Sequence, residues 1–96
     1  MQVAQVIADP TRRRLLELVR DHELPAGELA GSFQVSRPAV SRHLRVLREA
    51  GLVRQRREGR LRLYRAEPAP LAELQRWLEA YWGERLEALK AVAEDR

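Results

Sequence analysis

Two closely spaced apolar sets constrain this chain more than any other feature. Leu29, Ala30 and Phe33 recur at helical spacing, Val40, Leu44 and Leu47 do so again, and a short stretch around Gln34 to Ser36 separates them. Helices joined by so short a turn must cross steeply. That requires a small residue where the backbones approach and apolar residues at fixed offsets. Ala30 meets the first requirement, and Leu29, Phe33, Val35 and Val40 meet the second, although Gln34 stands where a turn glycine is common. Ser36 is an N-capping residue type, and Pro38 is tolerated behind it because first-turn amides have no intrahelical partner. With Val40, Leu44 and Leu47 turned inward, the second helix presents Ser36, Arg37, Pro38, Ser41, Arg42 and Arg45 outward. Such a short, polar, basic face suits a DNA major groove, where arginine can bond guanine in bidentate fashion and serine can bond base or phosphate.

The rest of the chain supplies a frame for this pair. Asp9-Pro10 reads as an N-cap and first helical residue, and Leu15, Leu16, Leu18 and Val19 carry that helix to about Arg20, behind a shorter helix from Val3 to Ala8. A break at Asp21 to Leu24 leads to Pro25, which opens the next helix. Gly51 ends the second helix of the pair. From Leu52 to Ala66, two extended runs flank Glu58-Gly59 and predict a β-hairpin. With a two-residue loop there, Val53 faces Tyr64, and Arg57 and Arg60 flank the tip. Beyond Pro68 and Pro70, the residues Leu71, Leu74, Leu78, Tyr81, Leu86, Leu89 and Ala93 mark a last helix of more than twenty residues, weakened at Gly83 by about 1 kcal/mol relative to alanine. The expected fold is mainly α with a small β-hairpin, in the order α-α-α-α-β-β-α. It forms one domain over residues 1–96, with the helix-turn-helix at about 26–49 and the ribbon at about 52–66.

Charge is distributed unevenly along this frame. From Ser36 to Ala66 ten arginines face two glutamates, a local net of +8, whereas residues 1–35 sum to −1 and residues 67–96 to −3. So steep a polarity favours a polyanionic partner over a merely solvated face. Arg56, Arg57, Arg60 and Arg62 place part of that charge on the hairpin, where it suits phosphate. No apolar run reaches the 18 residues of a membrane span, and no secretory leader pattern opens the chain, so it is expected in the cytoplasm without membrane insertion.

The absence of cysteine excludes disulfides, thiolate metal sites and cysteine nucleophiles. His22 and His43 lie apart, and His43 is read as a partly buried packing residue. No nucleophile–base pair, metal cluster or glycine-rich phosphate loop is visible, so no catalytic residue, metal or cofactor is expected.

Nearly the whole chain resembles the ArsR/SmtB-type winged helix-turn-helix repressors, through ADPTRRRLLELV (8–19), VSRPAVSRHLRVLREAGLVRQRREGR (35–60) and the Tyr64-Arg65 pair. The pattern at Trp77 to Trp82 and Glu84 to Leu89 is similar to the SdpR-like autorepressors in particular. The resemblance implies a homodimer built from the first and last helices, at about 1–8 and 70–94, with Val3, Leu71, Leu74, Leu78, Tyr81, Trp82, Leu86 and Leu89 at its interface. It also implies repression from a palindromic double-stranded operator in the chain's own or a neighbouring operon, and release when a small-molecule or protein inducer arrives. Thiolate-sensing members carry cysteines where Pro25 and Gly27 stand here, and members binding zinc between their last helices use histidines that residues 71–94 lack. The expected regulator therefore does not sense metal. Trp77, Tyr81 and Trp82 are read as dimer core or rim, and as candidates for a small-molecule pocket between subunits. The alternative, a protein-interaction module that has lost DNA binding, gives no reason for arginines on both the recognition helix and the hairpin.

Overall fold

Local capping decides where the helices begin and end. In the computed structural model, which describes residues 2–94, α1 spans Gln2–Ile7 and α2 spans Pro10–Leu18. The carboxylate of Asp9 accepts from the Arg12 backbone N–H at 3.1 Å, and Pro10 fills the first helical position, where no N–H is needed. Carbonyls left over at the end of α1 are bonded from α2. Arg12 Nε donates to Val6 O at 2.7 Å, and Arg13 Nη1 donates to Ile7 O and Ala8 O at 2.9 and 3.0 Å. The remaining elements are β1 (Leu24–Pro25), α3 (Ala26–Gly31), α4 (Arg37–Glu49), β2 (Val53–Glu58), β3 (Leu61–Ala66) and α5 (Ala69–Glu94). Ser36 Oγ caps α4 by accepting from Ala39 N–H at 3.2 Å. At the other end, Gly51 N–H donates to Arg48 O and Leu52 N–H donates to Leu47 O, at 3.0 and 2.9 Å. This bond pair needs a left-handed residue, and Gly51 provides it at φ +75°.

The Asp9 cap is sensitive to pH. The hydrogen bond from the Arg12 backbone holds its carboxyl below the ordinary carboxylate range, with the neighbouring His43 and Arg12 adding to the effect. A folded value below the unfolded one means that the contribution is complete above about pH 4 and is lost as pH falls through the folded value. Asp9→Ala should therefore lower the unfolding free energy by about 1 kcal/mol at neutral pH, and by less as the solution is acidified. Urea melts of both proteins across that range measure the difference, and a gap that widens in acid would contradict the cap's role.

Helices α2, α3 and α4 close over the base of the ribbon. Leu15, Val19, Leu29, Val40, Leu44, Leu47 and Leu52 are almost completely buried, and Val53 and Tyr64 extend the core into the sheet. Ala66 N–H donates to Val19 O at 3.0 Å and Glu67 N–H donates to Leu52 O at 2.8 Å, which tie the ribbon to the helices. His43 is half-buried on α4, with Nδ1 3.4 Å from Arg12 Nη1, consistent with a packing residue.

Several sequence expectations need correction. Val35 is 42% exposed and contributes little to the helix-turn-helix core. The hairpin is two strands of a three-stranded antiparallel sheet in the order β1-β3-β2, because Leu24 and Pro25 pair with Tyr64 and Leu63, and Pro25 precedes α3 as its N-cap residue instead of opening it. Proline is tolerated on this edge, where one strand side has no neighbour. The ribbon register also differs: Val53 opposes Ala66, Arg57 opposes Arg62 and Glu58 opposes Leu61, so the turn is Gly59-Arg60. Gly59 has φ +61° and no described non-glycine residue has positive φ. Positive φ at the first turn position alone is the requirement of a II′ turn, which takes glycine there. A two-residue slip leaves every side chain on its expected face.

Helix α5 departs from the core. It packs against α1 and reaches the core through Leu71, yet none of its described residues is buried. The Cα radius of gyration is 17.1 Å, against about 12–13 Å for a compact chain of this length, and the longest dimension is 59 Å.

Candidate nucleic-acid interface

The buried stripe of α4 fixes what its other side can do. With Val40, Leu44 and Leu47 inside, Arg37, Pro38, Ser41, Arg42 and Arg45 are all exposed, and Arg48 continues their row towards the helix end. Ser36 stands exposed at the start of this row, with its oxygen engaged in the cap. Strand alternation puts Gln55 and Arg57 on one ribbon face with their cross-strand partners Tyr64 and Arg62. That face and α4 enclose an open cleft of about 460 Å³. Pro38, Ser41, Arg42, Arg45 and Arg48 line one side, Gln55, Arg62 and Tyr64 the other, and Ala26 closes it from α3. A chain of hydrogen bonds crosses between the walls: Arg48 Nη1 to Gln55 Oε1 at 2.7 Å, then Gln55 Nε2 to the Tyr64 oxygen at 2.8 Å.

The two faces of the ribbon differ in how their charge is neutralised. On the face away from the cleft, Arg54 Nε lies 2.6 Å from Glu67, and Arg56 is bonded to both Glu23 oxygens at 2.7 and 2.9 Å and to Glu58 at 3.1 Å. The Arg56 bond holds the Glu23 carboxyl below its ordinary range, and Glu23 in turn raises Arg56. On the cleft side, none of Arg37, Arg42, Arg45, Arg48, Arg57, Arg60 and Arg62 forms a salt bridge among the described residues. Arg57 stands directly opposite Arg62, and like charges so placed destabilise a ladder. Arg54 opposes Arg65 in the same way on the outer face, but there Glu67 neutralises Arg54 and leaves Arg65 alone without a salt bridge among the described residues.

This arrangement sorts the residues expected from sequence. It brings Pro38, Ser41, Arg42 and Arg45 together with Arg62, places Arg37 beside them against α3 with Ala26, Gly27 and Ala30, and puts Arg57 on the same ribbon face as Arg62 and Arg60 in the exposed turn. It takes Arg56 away from them, onto the opposite face, where three carboxylate contacts hold it in the fold. Sequence reasoning does not assign Arg48, Gln55 or Tyr64 to the interface. Arg48 extends the 38, 41, 45 row by one turn and is legible from helical spacing, whereas the other two depend on the ribbon register.

A second surface lies on α5. Val3 and Leu71 are partly covered by the core and Leu74 is half-buried, but Leu78, Tyr81, Trp82, Leu86 and Leu89 are between 41% and 67% exposed, with Trp77 and Val92 beside them. Trp77 stacks on Tyr81 at 5.4 Å between ring centroids, Trp82 meets Tyr81 edge-on at 4.8 Å, and Arg85 lies 5.4 Å from the centres of both the Tyr81 and Trp82 rings. No group of three potential metal ligands gathers among the described residues, and no described helix is long and apolar enough to cross a membrane.

Comparison with known proteins gives a consistent result. Residues 9–55 match the model of the bacterial regulatory protein arsR family. The chain is 46% identical over 78 residues to the HTH-type transcriptional regulator Rv2034 of Mycobacterium tuberculosis, covering 81% of this chain and 73% of that protein. It is 33% identical over 76 residues to the transcriptional repressor SdpR of Bacillus subtilis, covering 79% and 84%. Among solved structures, it is similar to a possible transcriptional regulator for arsenical resistance, at 47% identity and a TM-score of 0.76 over 91% of each chain.

Proposed function

The chain belongs to the arsR family of bacterial regulatory proteins, and from that premise we propose that it is a homodimeric repressor that binds a palindromic operator without sensing metal. It is a DNA-binding transcriptional regulator, not an enzyme, with the winged helix-turn-helix fold. The observation that carries the DNA-facing assignment is the asymmetry of the ribbon. On its outer face Arg54 and Arg56 have carboxylate partners and only Arg65 has none, while on the cleft side no arginine has one and Arg57 opposes Arg62 with nothing to neutralise either. DNA phosphates supply the missing counter-charge. Arg37, Ser41 and Arg42, near the start of α4, read bases, with Ser36, Pro38 and Arg45 at the groove edge; Arg57, Arg60 and Arg62 bind the backbone. The helix-turn-helix at 26–49 and the ribbon at 52–66 serve DNA. The helices at 1–8 and 70–94 serve the dimer, through Val3 and the exposed side of α5, and the ends of this single domain at Met1, Asp95 and Arg96 lie outside the described residues. Release from DNA then falls to a small-molecule or protein inducer rather than to an ion.

Metal independence follows from the ligand set. Without a thiolate, and with His22 and His43 apart, only carboxylates remain, and exposed carboxylates hold hard ions weakly. The test is binding to the DNA upstream of the chain's own coding region, in chelator and in micromolar zinc, with Arg42→Ala alongside. Affinity should be the same under both conditions. Arg42→Ala should cost about 1 to 3 kcal/mol and relax discrimination at one base pair in each half-site. A tenfold response to zinc would remove the metal-independent reading, and unchanged base preference in the variant would remove Arg42 from the readout.

A further inference from the structure

We propose that the Tyr64 hydroxyl donates a hydrogen bond to a DNA backbone phosphate at the back of the cleft, and that Arg48 and Gln55 are positioning residues that set the direction of this donation. The inference rests on the cleft being the DNA interface. Its starting point is the hydrogen-bond chain from Arg48 through Gln55 to Tyr64, at 2.7 and 2.8 Å. A guanidinium has donors only, so Gln55 must turn its amide oxygen towards Arg48. Its amide nitrogen then faces Tyr64 with a donor, and the phenolic oxygen has to accept. A hydroxyl used as an acceptor keeps its own proton for another partner, and accepting a bond makes it a better donor.

The cleft offers that proton no anionic partner of its own. Arg42, Arg45, Arg48 and Arg62 bring donors to its walls, and no carboxylate lines it. The acidic residues near the ribbon, Glu23, Glu58 and Glu67, are engaged with Arg54 and Arg56 on the other face. A phosphate oxygen completes the set, because it accepts from the phenol while the guanidiniums balance its charge. A base edge fits less well: the chain anchors Tyr64 to Arg48 in the last turn of α4, whereas helix-turn-helix proteins reach bases from the start of the recognition helix. Tyr64 is 7% exposed and belongs to the core cluster, so its ring is held in place, and the same side chain also lines the cleft.

Tyr64→Phe removes the hydroxyl and keeps the ring. It should lower affinity about a hundredfold or more, both for the upstream duplex and for a duplex of random sequence, since each of two subunits loses one hydrogen bond to a charged acceptor. The slope of log affinity against log salt should not change, because a neutral donor displaces no counterion. Adding Gln55→Leu to Tyr64→Phe should cost little beyond Tyr64→Phe alone, because both act on the same bond. A second arm uses the wild-type protein and duplexes with one neutral methylphosphonate at successive positions. At one position in each half-site the methylphosphonate should cost wild type more than it costs Tyr64→Phe, which still loses the charge facing the guanidiniums but has no phenol bond to lose, a difference that a packing role for Tyr64 would not produce. Equal binding by wild type and Tyr64→Phe, additive losses, or a loss confined to the upstream duplex with altered base preference would each overturn the phosphate contact while leaving the DNA-binding reading intact. Failure of wild type to bind either duplex would overturn that reading instead.

Discussion

Replacing Leu78 and Leu89 together with glutamate should convert the protein into a folded monomer and lower its DNA affinity by about a hundred- to ten-thousandfold. Both leucines lie on the exposed apolar side of α5, outside the core of the single chain, so the domain has little reason to unfold when they change. In a two-fold dimer the substitution acts four times. At about 1.5 to 3 kcal/mol for each leucine withdrawn from an interface, the loss is comparable to the whole association energy of a micromolar dimer, before the cost of burying a carboxylate is counted. A monomer reads one half-site and forfeits the effective concentration that the second reading head gains from its partner, which gives the expected loss of affinity. Light scattering should give the 11.1 kDa chain mass. The protein's two tryptophans, Trp77 and Trp82, both lie on α5, so their emission should shift to the red as the interface opens to water. A variant that stays dimeric with unshifted emission would move the interface elsewhere. Arg85 fits such a seam because the Tyr81 and Trp82 rings flank its guanidinium and offer it cation–π contacts where water is excluded.

Features governed by neighbouring residues were legible in the sequence, and those governed by distant ones were not. Asp9, Ser36 and Gly51 mark helix ends because each acts on amides or carbonyls within a few residues, and all three do so in the structure. The long last helix and the outer face of α4 follow from spacing alone. The ribbon register was misplaced because Glu58-Gly59-Arg60 allows two turns, with glycine second or first, and the choice depends on how the strands meet the core. The short strand β1 was missed because two residues carry no periodicity, and its partners Tyr64 and Leu63 lie some forty positions away. Sequence alone groups Arg56 with the other hairpin arginines expected at DNA, because Glu23, 33 residues earlier, gives no local sign that it will take up this charge. The basic segment is legible in the chain, but its division into arginines with and without carboxylate partners requires the fold.

That division leads to an expected trade between stability and binding. Arg57 and Arg62 face one another across the ribbon with no carboxylate partner, so Arg57→Ala with Arg62→Ala should leave the free protein as stable as wild type, or more stable by up to about 1 kcal/mol. The same change removes four cations from the DNA-facing side of a dimer. At about 0.9 unit of salt slope for each phosphate contact, the log–log dependence should flatten by about 3 to 4 units, and affinity near physiological salt should fall by about a thousandfold for any sequence. The matched control is Arg54→Ala with Arg56→Ala, which removes the same number of charges from the outer face. Those arginines are already neutralised by Glu67, Glu23 and Glu58, so DNA affinity and its salt slope should change far less, while the contacts between the ribbon and Glu23 are lost. Thermal melts of the free proteins, together with binding titrations at several salt concentrations, separate the two effects. If the outer pair cost as much slope as the cleft pair, the DNA would have to approach from the other side of the ribbon, and the unpaired charge of Arg57 and Arg62 would need a different explanation.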